Sequence, residues 1–343
     1  MRIATYNVEW FNNLFDDDGN LLEDLEPSGR EGIARADQLT ALGIVFTALD
    51  ADAVLIVEAP DTNSRRSTVV ALENFARKYG IRARRAIMGF ANETQQEIAL
   101  LYDPDVFRAR HDPIGEVTGK KGLFGAPRFD GVYRLDPSLK DMPKTVTFSK
   151  PPLEVSLEVI GGQVLRLIGV HVKSKAPIGA EDATEIAEIA IENRRKQLAQ
   201  CLWLRERIEE HLAEGESVIV LGDLNDGPGL DEYEELFGQS CVELVMGTGE
   251  QRKLYDPHAR IALSQRISAM PVSSRFFLPE QDQYVQALLD YVMVSRDLMR
   301  LGPQWRIWHP FDDIQCYRLS ELREALLAAS DHFPVSVDLS LSP

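Results

Sequence analysis

Short apolar blocks recur along this chain, each about the length of a β-strand. They are Arg2 to Val8, Asp52 to Val57, Ile98 to Tyr102, Leu153 to Ile160, Leu165 to Val172, Ser217 to Leu221, Tyr291 to Val294 and Val335 to Leu339. Helical patterns lie between several of them. In 186–212, Ile186, Ile189, Leu198, Leu202, Ile208 and Leu212 mostly repeat at helical spacing, which predicts one amphipathic helix. Ala36 to Leu49 predicts a second, and Thr68 to Tyr79 a third that Gly80 would close. The blocks 153–160 and 165–172 are joined at Gly161-Gly162, a hairpin signal, so antiparallel pairs are required. The pattern predicts a mixed α/β sandwich and rules out a purely parallel sheet. No internal repeat interrupts it.

The apolar blocks fall far short of the ~20 residues of a membrane helix. The first ten residues already alternate like a strand, so no secretory signal is expected. With 343 residues, length alone predicts about two domains, although one large α/β domain fits equally well. The 37 Lys and Arg face 54 acids, giving a formal charge of −17. This argues against a protein that coats nucleic acid, because nonspecific affinity comes mostly from cationic neutralisation of phosphates. It does not exclude an enzyme that meets a phosphate at one metal-screened site. Cys201, Cys241 and Cys316 are odd in number and lack a CxxC pair, which argues against a disulfide framework or zinc ribbon and for a reducing cytoplasm.

Three segments read as loops added to the frame. Residues 12–37 hold eight acids against Arg30 and Arg35. Residues 119–150 hold seven Lys or Arg against three Asp, a local net of +4. Residues 247–284 carry Arg252, Lys253, Arg260, Arg266 and Arg275. A basic loop on an acidic body is where an anionic ligand would touch, and solvated surface charge is the plainer alternative.

Chemistry enters through polar residues placed at the ends of the apolar blocks. Asn7 closes Ile3-Ala-Thr-Tyr-Asn7 and is followed by Glu9, while Glu58 closes Val54-Leu-Ile-Val-Glu58. His171 lies in Gly169-Val-His171-Val-Lys173-Ser-Lys175, and Gly222-Asp223-Leu-Asn225-Asp226 follows Val218 to Leu221. Asp290 opens a later block, and Ser330-Asp331-His332-Phe-Pro precedes the last. Alone, each has an ordinary explanation as a turn former, helix cap or solvent-facing side chain. Together, at strand ends of an α/β sheet, they describe a site.

Asn7-Val-Glu9-Trp, Val57-Glu58, Gly222-Asp223-Leu-Asn225, Leu289-Asp290-Tyr-Val and Ser330-Asp331-His332-Phe-Pro resemble the signatures of the endonuclease/exonuclease/phosphatase superfamily. That group includes pancreatic-type deoxyribonucleases, exonuclease III-like abasic endonucleases, inositol polyphosphate phosphatases and neutral sphingomyelinases. The resemblance implies a four-layer α/β sandwich, two mixed β-sheets packed face to face with helices outside. It also implies that residues 1–343 form a single domain with loop insertions near 12–37, 111–150 and 247–284.

By the same resemblance, Glu58 is the principal ligand of a Mg²⁺ ion, for which Mn²⁺ or Ca²⁺ could substitute. Asp331 and Glu9 complete the shell, Glu9 directly or through water, since relatives with an Asn-Val-Asp start carry Asp there. Asp223 and Asn225 would align the attacking water, with Asn7 fixing them or the phosphate. His332, oriented by Asp290, would face the phosphorus, either accepting the water proton or stabilising the phosphorane as imidazolium. His171 resembles a second histidine that contacts phosphate or helps the leaving group. Lys173 and Lys175, taken as neighbours on one strand face, would point into the same pocket. Lys150 stands where relatives commonly have Arg. Arg194 and Arg195 read as helix surface, or as phosphate contacts. His111, His211, His258 and His309 read as loop or charged-helix residues without a role.

The Lys150-Pro-Pro segment before strands ending in His171 favours the deoxyribonuclease-like branch. Three readings follow. The first is a Mg²⁺-dependent phosphodiesterase of DNA or RNA, with no membrane and no obligate protein partner. The second is a phosphoesterase for a small molecule or lipid headgroup, which the acidic body favours. The third is a binding protein on an inactive fold, whose expected broken site is missing.

Overall fold

The computed structural model describes residues 1–139, 142–177, 179, 182–228, 234–249, 252–264, 270–278 and 282–340. In chain order the strands are β1 (Arg2–Asn7), β2 (Ala53–Ala59), β3 (Arg85–Met88), β4 (Glu97–Tyr102), β5 (Phe107–His111), β6 (Tyr133–Arg134), β7 (Thr145–Val146), β8 (Leu153–Val159), β9 (Val164–His171), β10 (Ser217–Asp223), β11 (Ser274–Leu278), β12 (Gln283–Ala287), β13 (Asp290–Val294), β14 (Gln304–Ile307) and β15 (Val335–Asp338). The helices are α1 (Arg35–Leu49), α2 (Thr68–Tyr79), α3 (Ala183–Ala213), α4 (Glu234–Phe237), α5 (Cys241–Met246), α6 (Pro257–Ser264), α7 (Ile314–Arg318) and α8 (Ser320–Ala329).

Two mixed sheets result. One runs β14-β15-β1-β2-β4-β3 and the other β13-β10-β9-β8-β5. In each, one parallel pair (β1 with β2, β9 with β10) is flanked by antiparallel neighbours. The β8–β9 hairpin turns at Gly161-Gly162, where Gly161 takes φ +75°.

Alternation of side chains along each strand splits the apolar residues into three layers. Ile3, Leu55, Val57, Leu100, Val155, Leu167, Leu221, Val292 and Val337 fill the layer between the sheets. Tyr6, Val54 and Ile56 face outward under α1, α2 and α8, meeting Phe46, Phe75 and Leu326. Val170, Val220 and Met293 face outward under α3 and α5, meeting Trp203, Leu204 and Val245. Burying one such side chain contributes roughly 1.5–3 kcal/mol, so these layers are the main force holding the sandwich. The sheets approach closely because Gly169 has no Cβ: one built there would lie 2.3 Å from Leu55 Cδ1.

The acidic 12–37 segment is packed against this frame. Phe11, Leu14 and Phe15 enter the outer core, and isolated bridges join Phe15 to Leu21 and Pro27 to Ala34. Three of its eight acids are paired, Asp17 with Arg65, Glu23 with Lys78 and Asp24 with Arg35. Arg266, in the 247–284 segment, lies outside the described residues. Among the described residues no helix is long and apolar enough to cross a membrane.

Candidate active site

Strand direction explains why residues far apart in sequence meet at one edge. The parallel strands β1, β2, β9 and β10 all end there, the first in Asn7, β2 one residue past Glu58, and the others in His171 and Asp223. Their antiparallel neighbours β13 and β15 begin there, which delivers Asp290 and the 330–332 turn. The register is direct: Asp223 lies opposite His171 on one side and Asp290 on the other. Backbone approach at this point needs Gly222, at φ +130°, where a Cβ would lie 2.1 Å from the Val170 carbonyl oxygen.

Asp223 is the hub. Asn7 Nδ2 donates to its Oδ2 at 3.1 Å, Asn225 N donates to Oδ1 at 2.6 Å, and Asn225 Nδ2 donates to Oδ2 at 3.2 Å. Asn225 adopts left-handed φ +49° to turn its amide back on the strand end. Burial and the charge of Asp290 push the Asp223 carboxyl up to about 7, against the opposing pull of His332.

His332 Nδ1 lies 2.7 Å from Asp290 Oδ2. Burial alone would lower this imidazole, but Asp290, with Asp331 and Asp223 behind it, raises it well above its ordinary value. The protonated ring then donates from Nδ1 to Asp290 and presents Nε2 outward. Ser273 fixes the carboxylate: its hydroxyl donates to Asp290 Oδ2 at 2.9 Å while accepting the Leu289 and Asp290 amides.

The remaining carboxylates share a second corner. Glu58 sits at a bulge in β2 with φ +61°, a conformation costing an L-residue about 1–3 kcal/mol. That turn aims its carboxylate inward, where it meets the Asn7 side chain. Burial raises Glu58; Lys150 and His332 oppose the shift and Asp331 adds to it. Burial and Asp331 push Glu9 up to about 7, with Arg30 opposing. Glu9, Glu58 and Asp331 therefore sense one another as like charges. His171 Nε2 stands 4.0 Å from Glu58 Oε1 and 3.7 Å from Asp223 Oδ2, and Lys150 Nζ is 3.2 Å from both its ring nitrogens. Burial, then Lys150 and His332, hold His171 neutral, well below its ordinary value.

The Endonuclease/Exonuclease/phosphatase family profile matches residues 4–332, a span that contains every one of these groups. The chain belongs to the endonuclease/exonuclease/phosphatase family. As a member it is a hydrolase of phosphoesters. No curated protein sequence matches it. Among solved structures, TDP2 from Caenorhabditis elegans is similar with a TM-score of 0.52 at 15% identity, covering 98% of this chain and 74% of that one. D. rerio TDP2 complexed with single strand DNA product has a TM-score of 0.52 at 12% identity, covering 98% and 97%. At these identities the likeness is one of fold.

Some expected members of this family site are placed elsewhere. β9 ends at His171, so Lys173 and Lys175 do not share a strand face. Lys173 is half-exposed, with its amide held by Gln200, and Lys175 Nζ pairs with Asp226 at 2.6 Å. Arg194 is not helix surface: it is 1% exposed, and its guanidinium lies 3.6 Å from the same Asp226. The reason is that α3 turns this face onto the 223–226 loop. Two of the remaining histidines, His211 and His309, are buried, and His111 is half-buried. His211 is buried between Glu154 and Glu216, His309 caps the Phe311 and Asp312 amides, and His111 ends β5.

Sequence reasoning missed several supporting residues. Ser273 lies in a charged loop with no motif around it. Gln38, on α1, donates to the Glu9 and Ala329 carbonyls and ties the helix layer to the site. Arg30 reaches back from the 12–37 segment to pair with Glu9. Only Ser330 carried a signal, as part of Ser330-Asp331-His332; its hydroxyl donates to the Asn7 carbonyl at 2.8 Å and accepts the Glu9 and His332 amides.

Proposed function

We propose that this chain hydrolyses phosphodiester bonds in nucleic acid with the help of a divalent cation, Mg²⁺ by preference and Mn²⁺ or Ca²⁺ as substitutes. The observation that carries the reading is the pairing of a buried His332–Asp290 dyad with an Asp223 held by Asn7 and Asn225. Such a site can orient water and receive charge on phosphorus at the same time.

Glu58 and Asp331, with Glu9 directly or through water, would hold the cation. Carboxylate oxygens are what a hard divalent ion takes, and such an ion would offset the burial, and the like charge of Asp331, that lift Glu9 and Glu58. Asp223, Asp290 and His332 also offer ligand atoms within 4.8 Å of one another. His332 Nδ1 is, however, already committed to Asp290 at 2.7 Å. Bound at the carboxylate corner, the ion would screen the phosphoryl oxygens.

The protein's own groups divide the remaining work. Asp223 and Asn225 align the water for in-line attack, with Asn7 keeping Asp223 in place. His332, its Nδ1 committed to Asp290, presents Nε2 to the developing charge, which favours the imidazolium role. Neutral His171 and Lys150 stand where the phosphate or the leaving oxygen would lie, and Lys173 lines the approach. Lys175 and Arg194 act through Asp226, steadying the 223–226 loop. The same reading takes residues 1–343 as one domain with its three insertions, supported by the apolar layer that both sheets share. Three free, buried cysteines suit a cytoplasmic setting.

Nicking of supercoiled plasmid in Mg²⁺, beside EDTA and Asp223→Ala controls, tests the reading. Metal-dependent nicking lost in the variant is expected. A second reading, a small-molecule phosphoesterase, is favoured by the formal charge of −17. It replaces the first if plasmid and single-stranded DNA both stay intact while the same sample hydrolyses a chromogenic diester.

A further inference from the structure

The β11–β12 hairpin is built onto the active-site edge. Ser274 pairs with His332 as an isolated antiparallel bridge, the Arg275 amide donates to the Asp331 carbonyl at 2.6 Å, and the Phe333 amide donates to the Ser273 carbonyl at 2.6 Å. Ser274 therefore shares a face with His332, and alternation turns Arg275 to the side of Asp331. Phe277 follows on that side, and the register places Tyr284 opposite Phe277 and Gln286 opposite Arg275.

This face has its own order. The Arg275 guanidinium stacks over the Tyr284 ring 3.7 Å from its centroid, and Phe277 packs against that ring at 5.1 Å. Tyr284 is nonetheless 56% exposed. Arg275, Phe277, Tyr284 and Gln286 include no carboxylate, although the chain as a whole carries −17. A fixed aromatic ring backed by a cation whose own amide bonds to the carbonyl of a proposed metal ligand, Asp331, is the combination that binds a polyanion through the faces of its bases.

We propose that the Arg275–Tyr284 face is a stacking platform for an unpaired base of a single-stranded nucleic acid whose phosphate lies in the active site; this rests on the nucleic-acid reading above. Single strands are specified because a duplex hides its base faces, whereas every unstacked base offers one. Arg275 would meet the adjoining phosphate from behind the ring.

The test uses full-length protein in an Asp223→Asn background with Mg²⁺, so that strands stay intact, and polarisation of labelled oligothymidylate, an abasic strand of equal length, and duplex. Tyr284→Ala is expected to weaken oligothymidylate roughly 5- to 150-fold and to leave the abasic strand within about twofold. Tyr284→Phe should retain the affinity. With Asp223 restored, Tyr284→Ala should hydrolyse a small chromogenic diester at the parent rate, which shows an intact site. Equal loss on both strands, no loss at all, or tighter binding of duplex than single strand would overturn the platform. If wild-type protein still nicks plasmid in those cases, the platform alone fails. If no strand binds and none is cut, the nucleic-acid reading fails with it.

Discussion

His332 and Asp290 face each other at 2.7 Å in a buried pocket, although 42 positions separate them in the chain. The pair is closed from behind by Ser273, whose hydroxyl donates to Asp290 Oδ2 and takes up two backbone amides. The imidazole is thus fixed in both orientation and charge, at the edge where Asp223 arrives from the neighbouring strand.

Loss of that fixation should be expensive. Asp290→Asn keeps the shape but removes the charge, so turnover of a chromogenic diester is expected to fall by about 10²- to 10⁴-fold, with KM little changed. Circular dichroism should show an unaltered fold. Turnover within a factor of three of wild type would remove His332–Asp290 from the mechanism.

Cation binding should be visible without any substrate. Mg²⁺ at about 100 times its dissociation constant should stabilise the folded protein by about 2.7 kcal/mol, read as a rise in Tm. Glu58→Gln should abolish the rise. A rise of equal size in that variant would place the ion elsewhere.

Glu97 provides a pH signature away from the chemistry. It is fully buried at the start of β4 beside Asn92 and Thr62, and burial pushes its carboxyl up to about 7. An unfolded chain gives Glu about 4.3, so the folded state holds the proton more tightly and loses this stability as pH rises from there to about 7. Glu97→Gln should match wild type in thermal melts near pH 4.5 and exceed it at pH 8. Parallel Tm curves across that window would contradict this.

Gly222 should tolerate no side chain. At φ +130°, with a Cβ forced to 2.1 Å from the Val170 carbonyl oxygen, Gly222→Ala is expected to cost at least about 1–3 kcal/mol in urea unfolding. Activity should fall more than stability, since Asp223 is the next residue. An unchanged urea midpoint would show that the strand relaxes freely.

What could be read along the chain was whatever depends on neighbours in sequence. Blocks such as Ser217 to Leu221 and Val335 to Leu339 alternate or cluster apolar residues and became strands within a residue or two. Thr68–Tyr79 formed the helix its spacing implies, ended by Gly80 at φ +63°. Asn7, Glu58, Asp223, Asp290 and His332 were recognisable because strand ends leave polar side chains beside a groove, and because their order resembles a family.

Other features were settled only by packing. The position of Arg194 depends on which face of α3 meets the 223–226 loop, and neither sequence position nor charge reports that rotation. Arg30 reaches Glu9 across 21 positions because the 12–37 segment folds back, and Gln38 reaches both the Glu9 and Ala329 carbonyls because α1 packs against the site. The stacking of Arg275 on Tyr284 needs a strand register, which changes face with a one-residue slip. Local pattern determined the eight apolar-block strands, the three longest helices and the residue types that gather at the site. The partners of each charge were decided by tertiary structure, because burial and opposing strands set electrostatics through space and not along the chain.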